Sequence, residues 1–504
     1  MLFKPTSFLV CCCLGFIVAC AAGPSGTGTG TGGAAATGTG GATATGTGGS
    51  PGTGGTTGSG GFTGSGGTTG TGGSSGSGGG GTSDGGTGDA ASVVASCTFS
   101  NVAATISPRI STVGIVTWAT SLAGLTSARI EFGLTTAYGM TAPVDPTAAG
   151  YRTLLLGMKA EKMYHYRIIA TGGAGTCTSG DYTVMTGAKP NGIPTLTVST
   201  KNADKLAGGF LVTGESGQGA GAYIFDADAE VVWRFSIGGD VSSARMSYDG
   251  QYMWISNVNC CAQNGASKVH RVSMDGMTDE NLSSQFVGQN HQLTVLPDET
   301  VAFYGYTANG CDDVKERAPN GTVKTIVNAQ KAEGTTGGCH LNTIQYSRVD
   351  DALIFSDLNH NNYTKITRTG QTVWVLGGST SQFGANLWNG GQHGLDILGV
   401  DRILIFNNGA GSAGSIAIEW KLTLTGTKSA MRAWSYAAVP AINVQIMGDV
   451  QRLPNGNTIV AYSTRGALHE VAADGTLLQS LSWPLGGTFG YIEKRASLYG
   501  PPPK

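Results

Sequence analysis

The stretch Tyr223-Ile-Phe-Asp-Ala-Asp-Ala-Glu-Val-Val-Trp233 places two apolar runs on either side of a short polar turn. This pattern is typical of a β-hairpin. Five further hairpin-like stretches follow at intervals of about 44–54 residues. They cover residues 269–276, 314–321, 365–374, 418–426 and 469–475.

A more apolar run lies upstream of each hairpin, so that every repeat can supply four strands. These runs cover residues 209–213, 252–256, 300–304, 352–356, 402–406 and 458–462. Four strands at this period are typical of a β-propeller blade, and six repeats predict six blades around one channel over residues 190–504. A solenoid of stacked repeats is the alternative.

The composition of the 504-residue chain limits the classes of function. The formal net charge is −2, so the chain has no excess of basic residues to neutralise phosphates. This argues against nucleic-acid binding as the main function. The hydrophobic content of 40% excludes full disorder. The length predicts two or three domains. The 83 glycines and only 12% charged residues indicate a β-rich protein with a large glycine-rich insert.

The N-terminal residues have the pattern of an export signal. An apolar run over residues 8–19 ends in Ile17-Val18-Ala19-Cys20, which resembles a bacterial lipobox. We therefore expect residues 1–19 to be a lipoprotein signal peptide and Cys20 to carry the lipid anchor. A plain secretory signal cleaved near Ala19 is the alternative. Because Ala21 follows in place of aspartate, we expect the outer membrane or cell surface, with a periplasmic location also open.

Residues 20–92 are almost entirely Gly, Thr, Ser and Ala, with Phe62 as the one bulky residue of the stretch. Such a composition cannot offset the entropy of folding. We expect a disordered tether that holds the folded part away from the membrane.

Residues 93–189 contain several short alternating segments around Trp118, which predict a small β-sandwich. The run Tyr164-His-Tyr-Arg-Ile168 resembles the tyrosine-corner strand of fibronectin type III domains. Cys97 and Cys177 bracket this region, and in an exported protein we expect them to form a disulfide.

Three of the seven histidines, namely His291, His340 and His393, fall on one register of the repeat, shortly before the second strand of their units. Equivalent positions in successive blades converge near one end of the channel. The three could each be an ordinary hydrogen-bonded core residue. Together they suit either a metal site or the transfer of an anionic group.

Several motifs of residues 193–499 resemble the bacterial arylsulfotransferase (ASST) family when taken in this order and spacing. They are Asn290-His-Gln292 with Leu296-Pro297, His340-Leu-Asn342 before Ile354-Phe-Ser356, Val373-Trp-Val-Leu-Gly-Gly378, Gln392-His-Gly394 before Leu404-Ile-Phe-Asn-Asn-Gly409, and Leu453-Pro-Asn-Gly-Asn457. The resemblance implies a six-bladed propeller that transfers a sulfuryl group from an aryl sulfate to a phenolic acceptor. It implies no cofactor, no metal and no nucleotide donor.

The resemblance also implies roles for individual residues. His393 matches the nucleophile, which would form a sulfohistidine in a ping-pong reaction. His291 and His340 match the pair that binds the sulfuryl group and assists proton transfer, and Asn342 matches a residue that binds substrate and orients His340.

One position departs from the family pattern. Leu358 occupies the place of an arginine that grips the sulfuryl oxygens, and losing such a contact costs about 2–4 kcal/mol of transition-state stabilisation. We expect His360, two residues later, to replace that contact in part. A non-catalytic surface propeller that binds a ligand or partner is the alternative function, and a metal-dependent hydrolase is the third.

Four cysteines of the repeat region, Cys260, Cys261, Cys311 and Cys339, lack the Cys-x-x-Cys spacing of a zinc site. Because neighbouring cysteines rarely bond to each other, we expect Cys260 and Cys261 to pair separately with Cys311 and Cys339 and to link loops near His340.

Overall fold

The structure is a computed structural model that describes residues 96–217, 219–257, 267–307, 310–409, 414–484 and 486–502. Within these ranges the chain forms 33 β-strands and one short α-helix, α1 (Ala329–Glu333). This confirms the all-β class. Among the described residues, no helix has the length and apolar character needed to cross a membrane. The predicted signal peptide, Cys20 and the tether lie outside the described residues.

A two-sheet sandwich forms the first folded part. Its strands are β1 (Phe99–Ile106), β2 (Gly114–Thr120), β3 (Leu125–Gly133), β4 (Met140–Val144), β5 (Thr153–Leu155), β6 (Met163–Gly172), β7 (Gly175–Thr178) and β8 (Tyr182–Met185). One sheet has the order β1-β2-β5, the other has the order β4-β3-β6-β7, and β8 also pairs with β6. Alternating side chains of both sheets, such as Trp118 and Phe132, are fully buried between them.

Two predicted features of this sandwich are present. Cys97 and Cys177 form a disulfide, as expected. The hydroxyl of Tyr164 accepts a hydrogen bond from the backbone N–H of Lys159 at 2.9 Å, which is the type of contact made in a tyrosine corner. Membership in the fibronectin type III class stays a prediction.

The remaining strands form six sheets, each with four or five strands. The strands are β9 (Thr197–Thr200), β10 (Phe210–Ser216), β11 (Gly221–Phe225), β12 (Val231–Phe235), β13 (Val241–Met246), β14 (Tyr252–Asn257), β15 (Val269–Ser273), β16 (Asp279–Asn281), β17 (Gln289–Val295), β18 (Val301–Tyr306), β19 (Asp312–Arg317), β20 (Val323–Asn328), β21 (Leu341–Ser347), β22 (Ala352–Asp357), β23 (Asn362–Thr367), β24 (Thr372–Gly377), β25 (Gly391–Gly399), β26 (Arg402–Gly409), β27 (Ile416–Thr423), β28 (Ser429–Ala437), β29 (Asp449–Arg452), β30 (Thr458–Tyr462), β31 (Ala467–Val471), β32 (Leu477–Ser482) and β33 (Thr488–Arg495). Every hairpin predicted from the repeat forms the third and fourth strands of one blade, counted from the channel.

The ring closes through both ends of the propeller segment. The last strand, β33, pairs with β10 as the innermost strand of the first blade, and β9 pairs with β32 as a fifth, outermost strand of the last blade. The inner strands β13, β17, β21, β25, β29 and β33 contact one another in that order, and β33 contacts β13 again. These contacts confirm a closed six-bladed propeller.

The sandwich packs directly on the propeller within one compact unit. Ile110 and Val113 of the sandwich belong to the same apolar cluster as Trp233. The Tyr499 hydroxyl, which lies after β33, donates to the Leu154 carbonyl at 2.9 Å and accepts from the Leu156 N–H at 2.7 Å.

Candidate functional site

The three histidines of the shared register lie together where the inner strands begin. His291 is on β17, His393 is on β25, and His340 directly precedes β21. The ring centroids of His291 and His340 are 5.2 Å apart, and those of His291 and His393 are 6.2 Å apart. Three neighbouring blades therefore bring three imidazoles to one place, as the register predicted.

Local irregularities of the strands aim these side chains. The strand register shifts between Gln289 and Leu293 on β17 and between His393 and Leu395 on β25. His291 itself adopts a left-handed backbone conformation with φ of 48°. Bulges of this kind redirect side chains and are common beside active sites, and a non-glycine residue in this region costs about 1–3 kcal/mol.

The hydrogen bonds of Asn408 define the tautomer of His393. The Asn408 amide nitrogen donates to the carbonyls of Val444 at 3.0 Å and Met447 at 2.8 Å. Its amide oxygen must therefore face His393 Nδ1, at 2.7 Å. Since this oxygen can only accept, Nδ1 of His393 carries the proton, and Nε2 carries the lone pair.

His291 is held in the same way. Its Nδ1 lies 2.8 Å from the Asn290 amide oxygen, and the Asn290 amide nitrogen faces a carboxylate oxygen of Asp312 at 3.4 Å. The acceptor beside Nδ1 again places the lone pair of the neutral ring on Nε2.

Burial keeps two of the imidazoles neutral. His393 is 2% exposed, and desolvation lowers its pKa to about 3, although the hydrogen bond to Asn408 opposes the change. Desolvation, together with the neighbouring His340 and His393 rings, holds the pKa of His291 well below its ordinary value. Both rings can therefore act as a nucleophile or a base at neutral pH.

Carboxyl groups surround the backbone of His340. Its N–H donates to Asp357 at 3.0 Å, and the next N–H, of Leu341, donates to Asp312 at 3.2 Å. Burial raises the pKa of Asp312 to about 7, and the attraction of His340 acts in the opposite direction. The histidine end of the channel thus combines neutral imidazoles with buried acids.

Part of the propeller sequence matches a known family. Residues 307–481 match the family Arylsulfotransferase (ASST). The match confirms the resemblance seen in the sequence and includes His340 and His393, while covering less than half of the 504-residue chain. No curated protein matches the chain.

Several solved structures are similar to the chain at low identity. A protein of unknown function from Bacteroides caccae is 16% identical, with a TM-score of 0.39 over 57% of this chain and 98% of that one. TolB from Acinetobacter baumannii is 12% identical, with a TM-score of 0.39 over 67% and 80% of the two chains. Virginiamycin B lyase from Staphylococcus aureus is 13% identical, with a TM-score of 0.36 over 56% and 88%.

Leu358, which the resemblance places at an arginine position of the ASST pattern, lies beside the histidines. Its N–H donates to the His340 carbonyl at 2.8 Å. Its side chain packs on Gly391, where an added Cβ would lie 2.7 Å from Leu358 Cδ1. An apolar side chain thus stands between the strands that carry His340 and His393.

His360 does not lie with the three imidazoles. Its position gives no support to the predicted contact with a sulfuryl group, which stays a prediction. It lies in the turn after β22, since the strand ends at Asp357. Its Nδ1 is 2.9 Å from Asp357 and 2.8 Å from Glu333, and its Nε2 is 3.2 Å from the Thr336 carbonyl. The hydrogen bond to Asp357 raises the pKa of His360 to about 9, so this side chain is a structural cation.

Asn342 donates its amide nitrogen to the Gln392 carbonyl at 2.7 Å rather than to His340. It therefore ties β21 to β25 beside His393. Its predicted contact with substrate stays a prediction.

The predicted disulfides of the repeat region are wrong. Cys311 and Cys339 bond to each other, with their Cα atoms 4.4 Å apart. A hydrogen bond of 3.0 Å from the Cys339 N–H to the Gly310 carbonyl brings the two segments together. Cys260 and Cys261 lie outside the described residues. Cys339, Asp357 and His360 are close enough to hold a metal, but a disulfide sulfur offers no thiolate for one.

Three residues that contact the histidines or their neighbours were not predicted from the sequence: Asn408, Asp312 and Tyr363. Tyr363 donates its hydroxyl to the carbonyls of His393 at 2.8 Å and Gly394 at 3.0 Å. Asn408 lies within one of the motifs that resemble the ASST family, and this motif is the sequence feature that could have identified it. Asp312 and Tyr363 lie on outer strands of their blades, and only the fold brings them to the site.

Proposed function

We propose that the chain transfers a sulfuryl group from an aryl sulfate to a phenol through a sulfohistidine at His393. The observation that carries the proposal is the bond between His393 and Asn408, which presents Nε2 as a lone pair beside two further imidazoles. The match to the ASST family supports the reaction class.

The reaction takes place in two displacements. Nε2 of His393 attacks sulfur, an N–S bond forms, and the S–O bond to the aryl group breaks. The departing phenolate receives a proton from the imidazolium of His340. In the second step His340 takes the proton of the acceptor phenol, whose oxygen attacks sulfur and breaks the N–S bond. The second step regenerates the free His393 and the protonated His340 that the first step used, so the reaction needs no cofactor.

His291 would contact the sulfuryl group during both steps. Its neutral ring is held by Asn290 and lies closest to His340 among the ring contacts of this cluster. The anionic sulfuryl group favours a charged imidazole, so in the complex His291 can take a proton from His340 and donate it from Nε2 to a sulfuryl oxygen. The apolar side chain of Leu358 supplies no such contact, which predicts a slower enzyme than one with an arginine there.

The experiment uses the full chain with p-nitrophenyl sulfate, with and without phenol. We expect nitrophenolate release that depends on phenol, and a His393→Ala variant at least ~10³-fold slower. His270→Ala is the matched control, because His270 pairs with Asp279 on the outer strands β15 and β16. A sulfuryl mass increase on the His393 peptide, after reaction without phenol, would identify the intermediate.

The same assay tests the two other functions. Leu358 favours a propeller that binds a ligand without catalysis, and folded protein without any release would support that function. Release that chelators abolish would indicate a metal-dependent hydrolase.

We also propose that the chain acts outside the cytoplasm on a lipid anchor at Cys20. Two disulfides within the described residues support an oxidising compartment. Cys20→Ala should move the protein from the membrane fraction to the soluble fraction of the exported pool. Unchanged partitioning would argue against the anchor.

A further inference from the structure

Asp312 is a buried carboxyl group between two of the clustered histidines. It is 1% exposed at the start of β19. One carboxylate oxygen faces the Asn290 amide nitrogen at 3.4 Å, and the other accepts the Leu341 N–H at 3.2 Å. One side chain thus touches the residue that holds His291 and the residue that follows His340.

The surrounding charges favour an interaction between Asp312 and His340. The attraction of His340 lowers the pKa of Asp312, while burial and the nearby Asp357 raise it. Among the residues that the structure describes, the other titratable groups around His340 are Asp357, His291 and His393. Asp357 already contacts the charged ring of His360. Asp312, whose pKa of about 7 leaves it ionised above neutral pH, is therefore the acid that can balance an imidazolium at His340.

The Cys311–Cys339 disulfide joins the two segments involved. Cys311 directly precedes Asp312, and Cys339 directly precedes His340. The bridge therefore fixes the backbone of the acid and of the imidazole relative to each other, independently of the hydrogen bonds.

We propose that Asp312 is a positioning residue that stabilises the imidazolium of His340, orients His291 through Asn290, and is held in place by the Cys311–Cys339 disulfide. This rests on the proposed function, in which His340 takes and returns the phenol proton. A buried carboxylate paired with a catalytic histidine plays this part in acyl transfer. Here the anion would support the proton at the moment that the acceptor phenol loses it.

The test follows the ring signals of selectively labelled histidines in the full chain by NMR across a pH titration, with the His340 signal assigned from His340→Gln. Asp312→Asn should lower the pKa of His340 by about one unit. Transfer should fall ~10–100-fold, as is typical when a supporting partner is lost, and the corresponding limb of the pH–rate profile should move in the same direction.

The matched control is Asp313→Asn, which removes the neighbouring charge. Asp313 accepts from Asn328 at 3.0 Å on the outer pair β19 and β20. This variant should leave the His340 titration unchanged. A folded Asp312→Asn variant that titrates like Asp313→Asn would overturn the proposal.

A second variant covers the case in which Asp312→Asn fails to fold. Replacing both Cys311 and Cys339 by Ser should lower the pKa of His340 in the same direction, whereas replacing Cys97 and Cys177 should not. No difference between the two pairs would also overturn the proposal. If the wild-type chain transfers no sulfuryl group but Asp312→Asn still lowers the His340 pKa, the proposed function fails and the positioning role stands.

Discussion

The two ends of the propeller channel use polar side chains in opposite ways. The first residues of the inner strands carry the histidine cluster, whereas the last residues line a cavity of about 690 Å³. In that cavity Arg245 donates to the Ile492 carbonyl at 2.7 Å, and Asp449 accepts the Ile492 N–H at 2.9 Å. Asp396 accepts the Arg452 N–H at 2.7 Å.

The cavity at this end of the channel is therefore not the better candidate site. Its buried charged side chains already form hydrogen bonds from one inner strand to the next. These side chains therefore serve to hold the ring closed. At the histidine end, the described residues make no hydrogen bond to Nε2 of His393 or His291. One end stabilises the propeller, and the other keeps reactive lone pairs available.

The largest expected effect concerns the stabilising end. Arg245 is 6% exposed, and its guanidinium lies 3.7 Å from Asp449. Arg245→Leu leaves that carboxylate buried without a cation, which should lower the free energy of unfolding by about 3–5 kcal/mol. Urea unfolding at pH 8 measures the change.

The same variant should transfer sulfuryl groups at the wild-type rate below its unfolding temperature. A large loss of transfer in the folded variant would show that the two ends are not separate in function.

The next effect concerns the reactive end. Leu358→Arg returns a cation to the position beside the His340 carbonyl. A charge-assisted contact to the sulfuryl oxygens should raise kcat/KM for p-nitrophenyl sulfate by ~10–100-fold. Leu358→Met, which preserves size without charge, should leave kcat/KM near the wild-type value. Equal rates in all three proteins would mean that this side chain does not face the reacting group.

Much of the fold could be predicted because the repeat is local. Each hairpin and its upstream strand are contiguous in sequence, and a fixed period is enough to place the histidines on equivalent inner strands. The closure of the ring could not be found in this way, since β33 pairs with β10 across more than two hundred and fifty residues and the two strands share no local pattern.

The site was only partly predictable for a related reason. We expected His360 to contact the sulfuryl group because it follows Leu358 by two residues, but β22 ends at Asp357, and the turn directs His360 toward Glu333. The partners of Asn408, at residues 444 and 447, lie in another blade connection. The Cys311–Cys339 pair likewise depends on two blades meeting. Motifs identified the three clustered histidines, whereas contacts between blades determine their tautomers and neighbours.

The smallest effect, about 2 kcal/mol, tests the electrostatic difference between the ends. The folded protein holds His393 neutral down to a pKa of about 3, whereas an unfolded histidine takes a proton near pH 6.5. Acidification from pH 7.5 to 5 therefore favours the unfolded state by about 2 kcal/mol through this one group. His393→Gln lacks the group, so its stability relative to wild type should rise by that amount at pH 5.

Asp449, at the other end of the channel, should contribute a pH dependence of stability with the opposite sign. Burial raises its pKa to about 7, so the folded state gains a proton before the unfolded state does, and acidification over the same range stabilises the protein through this group. Asp449→Asn should therefore lose stability relative to wild type as the pH falls. Urea unfolding of the three proteins at both pH values measures the two slopes. A buried base is destabilised by acid and a buried acid is stabilised by it. If the stability of both variants relative to wild type changed with pH in the same direction, burial would not shift the two pKa values as described.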